Sequence, residues 1–350
     1  MKILHVLNSE LFSGAENVVA NIISGVKDDC SFEMAYCSPF SKNVEQSLQK
    51  RGIVYYSIPS LKIKNLKKII HEFKPDIIHA HDMRASFISA LSCGNIPLVS
   101  HIHNNAFNAR NISFKSIAYY YAAKKAKHIF WVSKSSFNGY IFSNKLKNKS
   151  TVLYNVLDLD HIKHLVSLDS NEYDYDIIFL GRLTHQKNPC RFLDICNNVK
   201  KLKDNVRIVV VGWGDMENEV KQKAAEMKLL NNIVFLGYVS NPMKILSCSK
   251  VLVMTSYWEG TPMSALEAQA LGIPIVSTPV DGMLDLVHDG ENGFLTDDND
   301  VFSNKIVECI TNKDIWDKLS NNQIILSKKW NDITTFLNKI KKVYGELYDD

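Results

Sequence analysis

The chain has 350 residues, of which 46% are hydrophobic and 22% charged, with a net charge of +4. These values belong to a water-soluble globular protein long enough for two domains. Its seven cysteines are scattered, odd in number and without a C-x-x-C pair, which excludes a disulfide framework and a cysteine zinc site and fits a reducing compartment. No apolar run approaches the ~18 residues of a membrane span, and MKILHVLNSE reads as a first strand rather than a signal peptide. A cytoplasmic location is expected, with a peripheral place on the inner face of the cell membrane. Charge is unevenly spread. Residues 1–170 carry 21 Lys and Arg against 12 Asp and Glu, and residues 171–350 carry 20 against 25. Between Asp82 and Asp158 there is no carboxylate, only ten cations such as Arg84, Lys115, Lys124 and Lys145. Such a region attracts phosphates.

In chain order, the first half alternates short β-branched runs with longer amphipathic ones. Strands are predicted at 3–7, 32–37, 54–57, 77–80, 98–102, 129–132 and 152–154, with helices near 15–27, 43–51, 61–73, 83–93, 114–126 and 134–143. From 156 to 174 the pattern lapses into an Asp-rich connection. A second alternation follows, with strands at 177–180, 208–211, 233–236, 251–255, 275–277 and 293–295, and closing helices near 299–311, 314–326 and 331–347. Nearly continuous apolar strands separated by helices predict parallel sheets covered on both faces. The expected architecture is α/β, with two doubly wound Rossmann-like domains at 1–165 and 175–330, and a last helix at 331–350 packing back on the first domain. In such sheets ligands lie beyond the carboxyl ends of the strands.

The most informative stretch is SYWEGTPMSALEAQALGIP, Ser256 to Pro274. It reads as a loop entering a short helix, with Thr261 as cap, Pro262 at the first helical position, and Gly272 as the left-handed exit. On a helical wheel Met263, Leu266, Ala270 and Leu271 form an apolar arc that includes Glu267. A carboxylate placed there needs donors. Glu259 precedes the helix on the loop. Free amides and a helix dipole suit a phosphate, while two carboxylates suit hydroxyls; a ligand with both is a nucleotide sugar.

Elsewhere the sequence supplies further loops at strand ends. Ser13-Gly14 marks a turn into a helix but lacks the full G-x-G-x-x-G fingerprint. DIIHAHD and SHIHNN place His79, His81, His101 and His103 at strand ends. Period-two histidines can bind a metal, but the favoured reading has one of each pair lining a cleft, above all His103. Arg182 and Lys187 in GRLTHQKN bracket a loop suited to an anion. VGWGD places Gly212 at another tight turn, with Trp213 beside it.

Together these motifs resemble the family 4 retaining glycosyltransferases, in the order that family shows: SGAE, DIIHAHD, SHIHN, LYNVLD, FLGRLTHQKN, VVGWGD, EGTPMSALEAQALGIP and STPVDGMLDLVHDGENGFL. The resemblance implies a GT-B fold and a metal-independent hexosyltransferase of surface-polysaccharide synthesis that keeps anomeric configuration and uses no cofactor. It further implies that Arg182 and Lys187 bind the donor diphosphate, with Gly14 approaching its phosphates and Gly212 at the donor. Glu267 would accept from the ribose hydroxyls and Glu259 from those of the sugar, Gly260, Thr261, Pro262, Met263 and Ser264 would line the donor, and His103 would sit beside the sugar. The donor is expected to be UDP-linked, the acceptor a polyprenyl-diphosphate-linked or other saccharide, and nucleic acid no partner. The acid-free region, with Phe114, Tyr119, Tyr120, Tyr121, Phe130 and Trp131 interleaved, would dock on an anionic membrane surface. Departures from the family pattern are SGAE for a Gly-Gly pair, Asn155 without a following Gly, and Asp281 where Gly is frequent. A nucleotide-sugar epimerase, or a non-catalytic nucleotide-sugar-binding protein on the same fold, is the alternative. A dinucleotide oxidoreductase is disfavoured by the incomplete glycine fingerprint.

Overall fold

A computed structural model describes residues 1–9, 12, 14–103 and 109–349. The chain forms two units, one of residues 1–156 with 332–350 and one of residues 157–331.

The first unit is built on seven strands: β1 (Lys2–Val6), β2 (Glu33–Pro39), β3 (Val54–Ile58), β4 (Ile77–His81), β5 (Leu98–Ile102), β6 (His128–Trp131) and β7 (Ser150–Val152). All pair in parallel, in the order β3-β2-β1-β4-β5-β6-β7. Strands β4 and β5 are buried along their whole length, as continuous apolar runs in a doubly covered sheet require. The order reverses between β1 and β4, and it is at such a switch point that the crevice of an open α/β sheet lies. The last helix, Ile333–Asp349, packs in this unit. Its Tyr344 is buried and its hydroxyl lies 2.6 Å from His79 Nδ1.

The second unit has six parallel strands: β8 (Tyr175–Leu180), β9 (Ile208–Val211), β10 (Ile233–Gly237), β11 (Ser249–Met254), β12 (Ile275–Ser277) and β13 (Gly293–Leu295). Their order is β10-β9-β8-β11-β12-β13, so the switch point falls between β8 and β11. Apolar clusters cover both faces of the sheet. One is centred on Phe179, Phe192 and Phe302, the other on Leu252, Leu266 and Met283.

Two differences from the sequence reading have local causes. The Asp-rich stretch expected as a connection contains a helix, Leu159–Ser167, capped by the Asp158 side chain on two amides, and it belongs to the second unit. The helix near 134–143 stops at Asn138, and the chain continues through a 3₁₀ segment at Ser143–Lys149.

Candidate functional site

In the second unit, three loops leave the carboxyl ends of the neighbouring strands β8, β11 and β12, and side chains and amides knit them together. The Tyr257 amide donates to the Gln186 carbonyl at 2.9 Å, and Gln186 Nε2 donates to the Trp258 carbonyl at 3.0 Å. The Thr255 hydroxyl donates to the Asn188 carbonyl at 2.9 Å, and Thr278 Oγ1 to the Ser256 carbonyl at 2.7 Å. The Glu259 amide donates to Asp281 Oδ2 at 3.2 Å. Asp281 itself is in the left-handed region at φ 37°, which accounts for the frequency of Gly at that family position. A Cβ on Gly282 would stand 1.5 Å from the Gly260 carbonyl oxygen, so the second and third loops touch backbone to backbone.

Inside this frame Lys187 Nζ reaches Glu259 Oε1 at 2.5 Å. Both side chains are largely buried, with exposures of 14% and 5%. Ser256 Oγ donates to the same oxygen at 2.5 Å; Oε2 makes no such bond among the described residues. Glu267 lies on the helix Met263–Ala270. Burial raises its carboxyl to about 7, against the opposing charge of Lys187. Its residue surface is half-buried rather than closed, so the surrounding protein strips water from the carboxyl without sealing it off.

The helix itself departs from expectation by one residue. Pro262, not Thr261, holds the N-cap position, with φ −70° and ψ 125°. Its buried face is formed by Ala265, Leu266, Ala268 and Gln269, while Met263, Ala270 and Leu271 are only half-buried. Gly272 takes the left-handed exit at φ 70°. Gly260, Thr261 and Pro262 are buried, and Met263 and Ser264 half-buried. Arg182 is exposed and its Nη2 contacts Gln186 Oε1 at 3.4 Å. Gly212 follows β9 at φ 136°, where a Cβ would stand 1.9 Å from the Gly181 carbonyl oxygen. The missing side chain is therefore what lets two strand ends pack closely. Trp213 is 42% exposed beside it.

In the first unit, Gly14 begins the helix Gly14–Gly25; Ser13 before it lies outside the described residues. Behind the turn the Ser9 hydroxyl donates to the buried Glu16 carboxylate. A cavity of about 200 Å³ there is lined by Ser9, Glu16, His81, Asp82 and Arg84 among others. The histidines of DIIHAHD and SHIHNN converge at the switch point, joined by His5 of β1 and His128 of β6; the positions after His103 are outside the described residues. Register places His5 opposite His79 and His81 opposite His101. His5 Nδ1 lies 3.0 Å from His81 Nε2, and His81 Nδ1 lies 2.8 Å from His103 Nε2. The His103 amide donates to Asp82 Oδ1 at 3.0 Å. Burial lowers His5, His79, His81, His101 and His103, the first and last to about 3, so these imidazoles are neutral near pH 7. Two triads, His5/His79/His81 and His81/His101/His103, bring a nitrogen from each ring within 4.8 Å of the others.

The family model for glycosyltransferase family 4 matches residues 12–161, and that for glycosyl transferases group 1 matches residues 161–329. The two meet at residue 161 and together span residues 12–329. The chain belongs to the family 4 glycosyltransferases. It is 26% identical to the UDP-Gal:alpha-D-GlcNAc-diphosphoundecaprenol alpha-1,3-galactosyltransferase of Escherichia coli, over 99% of this chain and 97% of that one. It is 25% identical to the capsular polysaccharide biosynthesis glycosyltransferase CapM of Staphylococcus aureus, over 78% and 77%. Among solved structures, HepE of Anabaena in complex with UDP-glucose superposes with a TM-score of 0.85 at 20% identity, covering 99% of this chain and all of that one. The fold of this glycosyltransferase is thus GT-B, with two doubly wound α/β domains.

Of the residues singled out in sequence, Lys187, Glu259 and Glu267 of this glycosyltransferase come together, and Gly260 to Ser264 adjoin them. Arg182 stands on the same loop as Lys187 but turns outward to Gln186. Sequence reasoning did not pick out Ser256 or Gln186, which hold Glu259 and the loops, nor His5. His5 carried a readable signal: beyond Lys2 at the strand's start, it is the one polar residue in the apolar run of KILHV, and in a doubly covered sheet it must meet another polar group.

Proposed function

We propose that this family 4 glycosyltransferase moves a sugar from a UDP-linked donor to a polyprenyl-diphosphate-linked saccharide, with retention of anomeric configuration and without a divalent metal. The observation that carries the reading is the meeting of Lys187, Glu259 and Glu267 beyond β8 and β11, at the switch point of the second sheet. It joins a cation for a diphosphate to two carboxylates for hydroxyls. The Escherichia coli relative, named for a UDP-sugar donor and a diphosphoundecaprenol acceptor, supports the choice of substrates.

In this reading Lys187 and Arg182 neutralise the diphosphate, with amides of Gly260 to Ser264 beside it. Glu267 accepts from ribose hydroxyls, and Glu259 Oε2 from hydroxyls of the sugar. Gly14 approaches the phosphates and His103 acts on the sugar. The bond from the anomeric carbon to the phosphate oxygen breaks, its electron pair leaving with UDP. The acceptor hydroxyl attacks from the face UDP leaves, and a phosphate oxygen takes its proton. Catalysis is then chiefly electrostatic, because charge grows on the leaving group as the bond breaks.

Association with an anionic membrane surface is part of the proposal. The described residues contain no helix long and apolar enough to cross a membrane. On the helix Phe114–Lys125, Phe114, Ile117 and Tyr121 are 84%, 54% and 50% exposed. They fall on one face at helical spacing beside exposed Lys115 and Lys124. The expected contribution of Tyr119, Phe130 and Trp131 is withdrawn: all three are fully buried, because they point into the layers around the sheet.

The test is a panel of nucleotide sugars offered with an undecaprenyl-diphosphate-linked saccharide, with the anomeric configuration of the product read by NMR. We expect a UDP-sugar to be used, its configuration kept, and turnover to survive EDTA. Turnover of donor without acceptor would favour an epimerase instead.

A further inference from the structure

Two loops of the second unit meet residue by residue. His185 stacks on Tyr257, with ring centroids 4.9 Å apart at 25°. Gln186 Nε2 donates to the Trp258 carbonyl, and Lys187 pairs with Glu259. Burial changes sharply along these three steps. Lys187 and Glu259 are largely buried, whereas His185 is exposed and Tyr257 is 52% exposed. The ion pair thus forms the inner end of the contact and the ring pair its outer end. Half-buried Trp258 completes the group, its ring centroid 6.0 Å from that of His185 and 6.3 Å from that of Tyr257. Two residues of chain span at most about 7 Å, so Tyr257 follows closely on the carboxylate.

The hydrogen bonds and the ion pair already tie the two loops. What the rings add is flat apolar surface kept in water on a fixed backbone, since the Tyr257 amide is bound to the Gln186 carbonyl. Exposing such surface costs free energy, and a Tyr so held offers a large contact area at little loss of freedom on binding. Neither the Tyr257 hydroxyl nor a His185 ring nitrogen makes a hydrogen bond among the described residues. The patch therefore combines apolar ring faces with a phenol and an imidazole at its edge. A pyranose has the matching form, a face of C–H bonds ringed by hydroxyls that donate and accept. A prenyl chain would leave the phenol and imidazole without partners. A uracil would suit the faces, but the base is the far end of the donor from its sugar, and Glu259 is the carboxylate assigned to the sugar.

We propose that His185 and Tyr257 form a stacking subsite for the acceptor's terminal sugar, beside the transferred sugar at Glu259. This rests on the function proposed above, in which Glu259 holds the donor sugar and the acceptor is a saccharide. The chemistry sets the distance: the acceptor hydroxyl must reach the anomeric carbon, so the sugar that bears it lies against the transferred one. A ring pair at the outer end of the Glu259 contact occupies that place. Stacking there fixes which face of the acceptor sugar is presented, and hence which hydroxyl attacks.

Two measurements on the full chain test this. The first is saturation-transfer NMR, with UDP bound, using the methyl α-glycosides of glucose, galactose, N-acetylglucosamine and N-acetylgalactosamine. At least one should receive saturation at its ring C–H protons from the wild type, lose it in Tyr257→Ala and keep most of it in Tyr257→Phe. The second is steady-state kinetics with the UDP-sugar and acceptor found by the nucleotide-sugar panel. In Tyr257→Ala and in His185→Ala, KM for the acceptor should rise about five- to thirtyfold, the range of one lost aromatic anchor. KM for the donor and the thermal midpoint should hardly move. A merely structural role would loosen the Lys187–Glu259 pair and raise donor KM as well. That result, a rise in donor KM alone, or a rise in acceptor KM that follows prenyl length and not the sugar would each overturn the proposal. So would four glycosides indifferent to Tyr257→Ala. Saturation that depends on Tyr257 in a protein that uses no nucleotide sugar would uphold a saccharide site there and count against the function.

Discussion

Lys187 Nζ and Ser256 Oγ both lie 2.5 Å from one atom, Glu259 Oε1. A carboxylate this deeply buried costs several kcal/mol to desolvate and is held by its partners. Lys187→Met should therefore destabilise the protein by about 3 kcal/mol or more, a fall of several degrees in thermal midpoint by calorimetry. The double variant Lys187→Met with Glu259→Gln removes both charges and should recover most of that loss. Neither variant should recover turnover, because a diphosphate needs the ammonium whatever the state of Glu259. If the double variant is active, Lys187 serves packing alone.

Glu267, raised to about 7, should make donor binding depend on pH. Hydroxyls donating to a carboxylate favour its charged form, so UDP-sugar affinity should fall between about pH 8 and about pH 6 as the carboxyl takes up a proton. In Glu267→Gln the affinity should be lower and its pH dependence flatter, as measured by titration calorimetry. The same shift acts on folding with the opposite sense. A carboxyl raised in the folded state favours the fold at low pH, and that contribution is lost as pH rises through about 7.

The buried histidines predict acid lability. His5, His79, His81, His101 and His103 are all lowered by burial, His5 and His103 to about 3, against about 6.5 unfolded. The folded state thus binds fewer protons, and stability is present above about pH 6.5 and lost below it. Each group contributes about 1.4 kcal/mol per pH unit, so a few together rival the whole stability of a domain. Thermal midpoints should drop steeply from about pH 7 to about pH 5. His101→Phe should soften the drop, because among the described residues neither His101 nitrogen has a hydrogen-bond partner to lose.

Gly282→Ala places a Cβ 1.5 Å from the Gly260 carbonyl oxygen, an overlap that only backbone movement relieves. The Glu259–Gly260 loop should be pushed from the Asp281 turn, with destabilisation of about 3 kcal/mol or more and loss of UDP-sugar binding. A crystal structure of the variant with the two loops still in register would refute this.

Membrane docking by Phe114, Ile117 and Tyr121 is checked by sedimentation with phosphatidylglycerol vesicles. Replacing the three by Ser should abolish most binding without lowering the thermal midpoint, since their side chains are exposed. Salt should weaken binding of the wild type through the lysines. Equal binding to neutral vesicles would remove the electrostatic part.

How far the sequence could be read depends on the range of the interactions. Strand runs such as LVSHI and IVVV were legible because burial on both faces writes itself into consecutive residues. Lys187, Glu259 and Glu267 were legible because each sits at a fixed offset from a strand end or a helix start. Contacts between distant loops were not. Nothing local says that Glu259 N–H meets Asp281 or that Gln186 ties to Trp258. The histidine row needs the parallel register of three strands, which residue spacing does not reveal. The misjudged aromatics show the same limit: Tyr119 and Tyr121 are two apart, yet one is core and the other surface, a choice made by where the helix rests.

The helix Ile333–Asp349 completes a unit whose other residues end at Val156. On the ribosome, residues 157–331, a unit continuous in sequence, emerge before it, so the second unit can finish folding first. Until the helix follows, the seats of Ile340 and Tyr344, both buried in the finished protein, stay open to water, and His79 lacks its phenol neighbour. A nascent chain arrested before residue 333 should therefore resist protease in its later half while its earlier half is still cut.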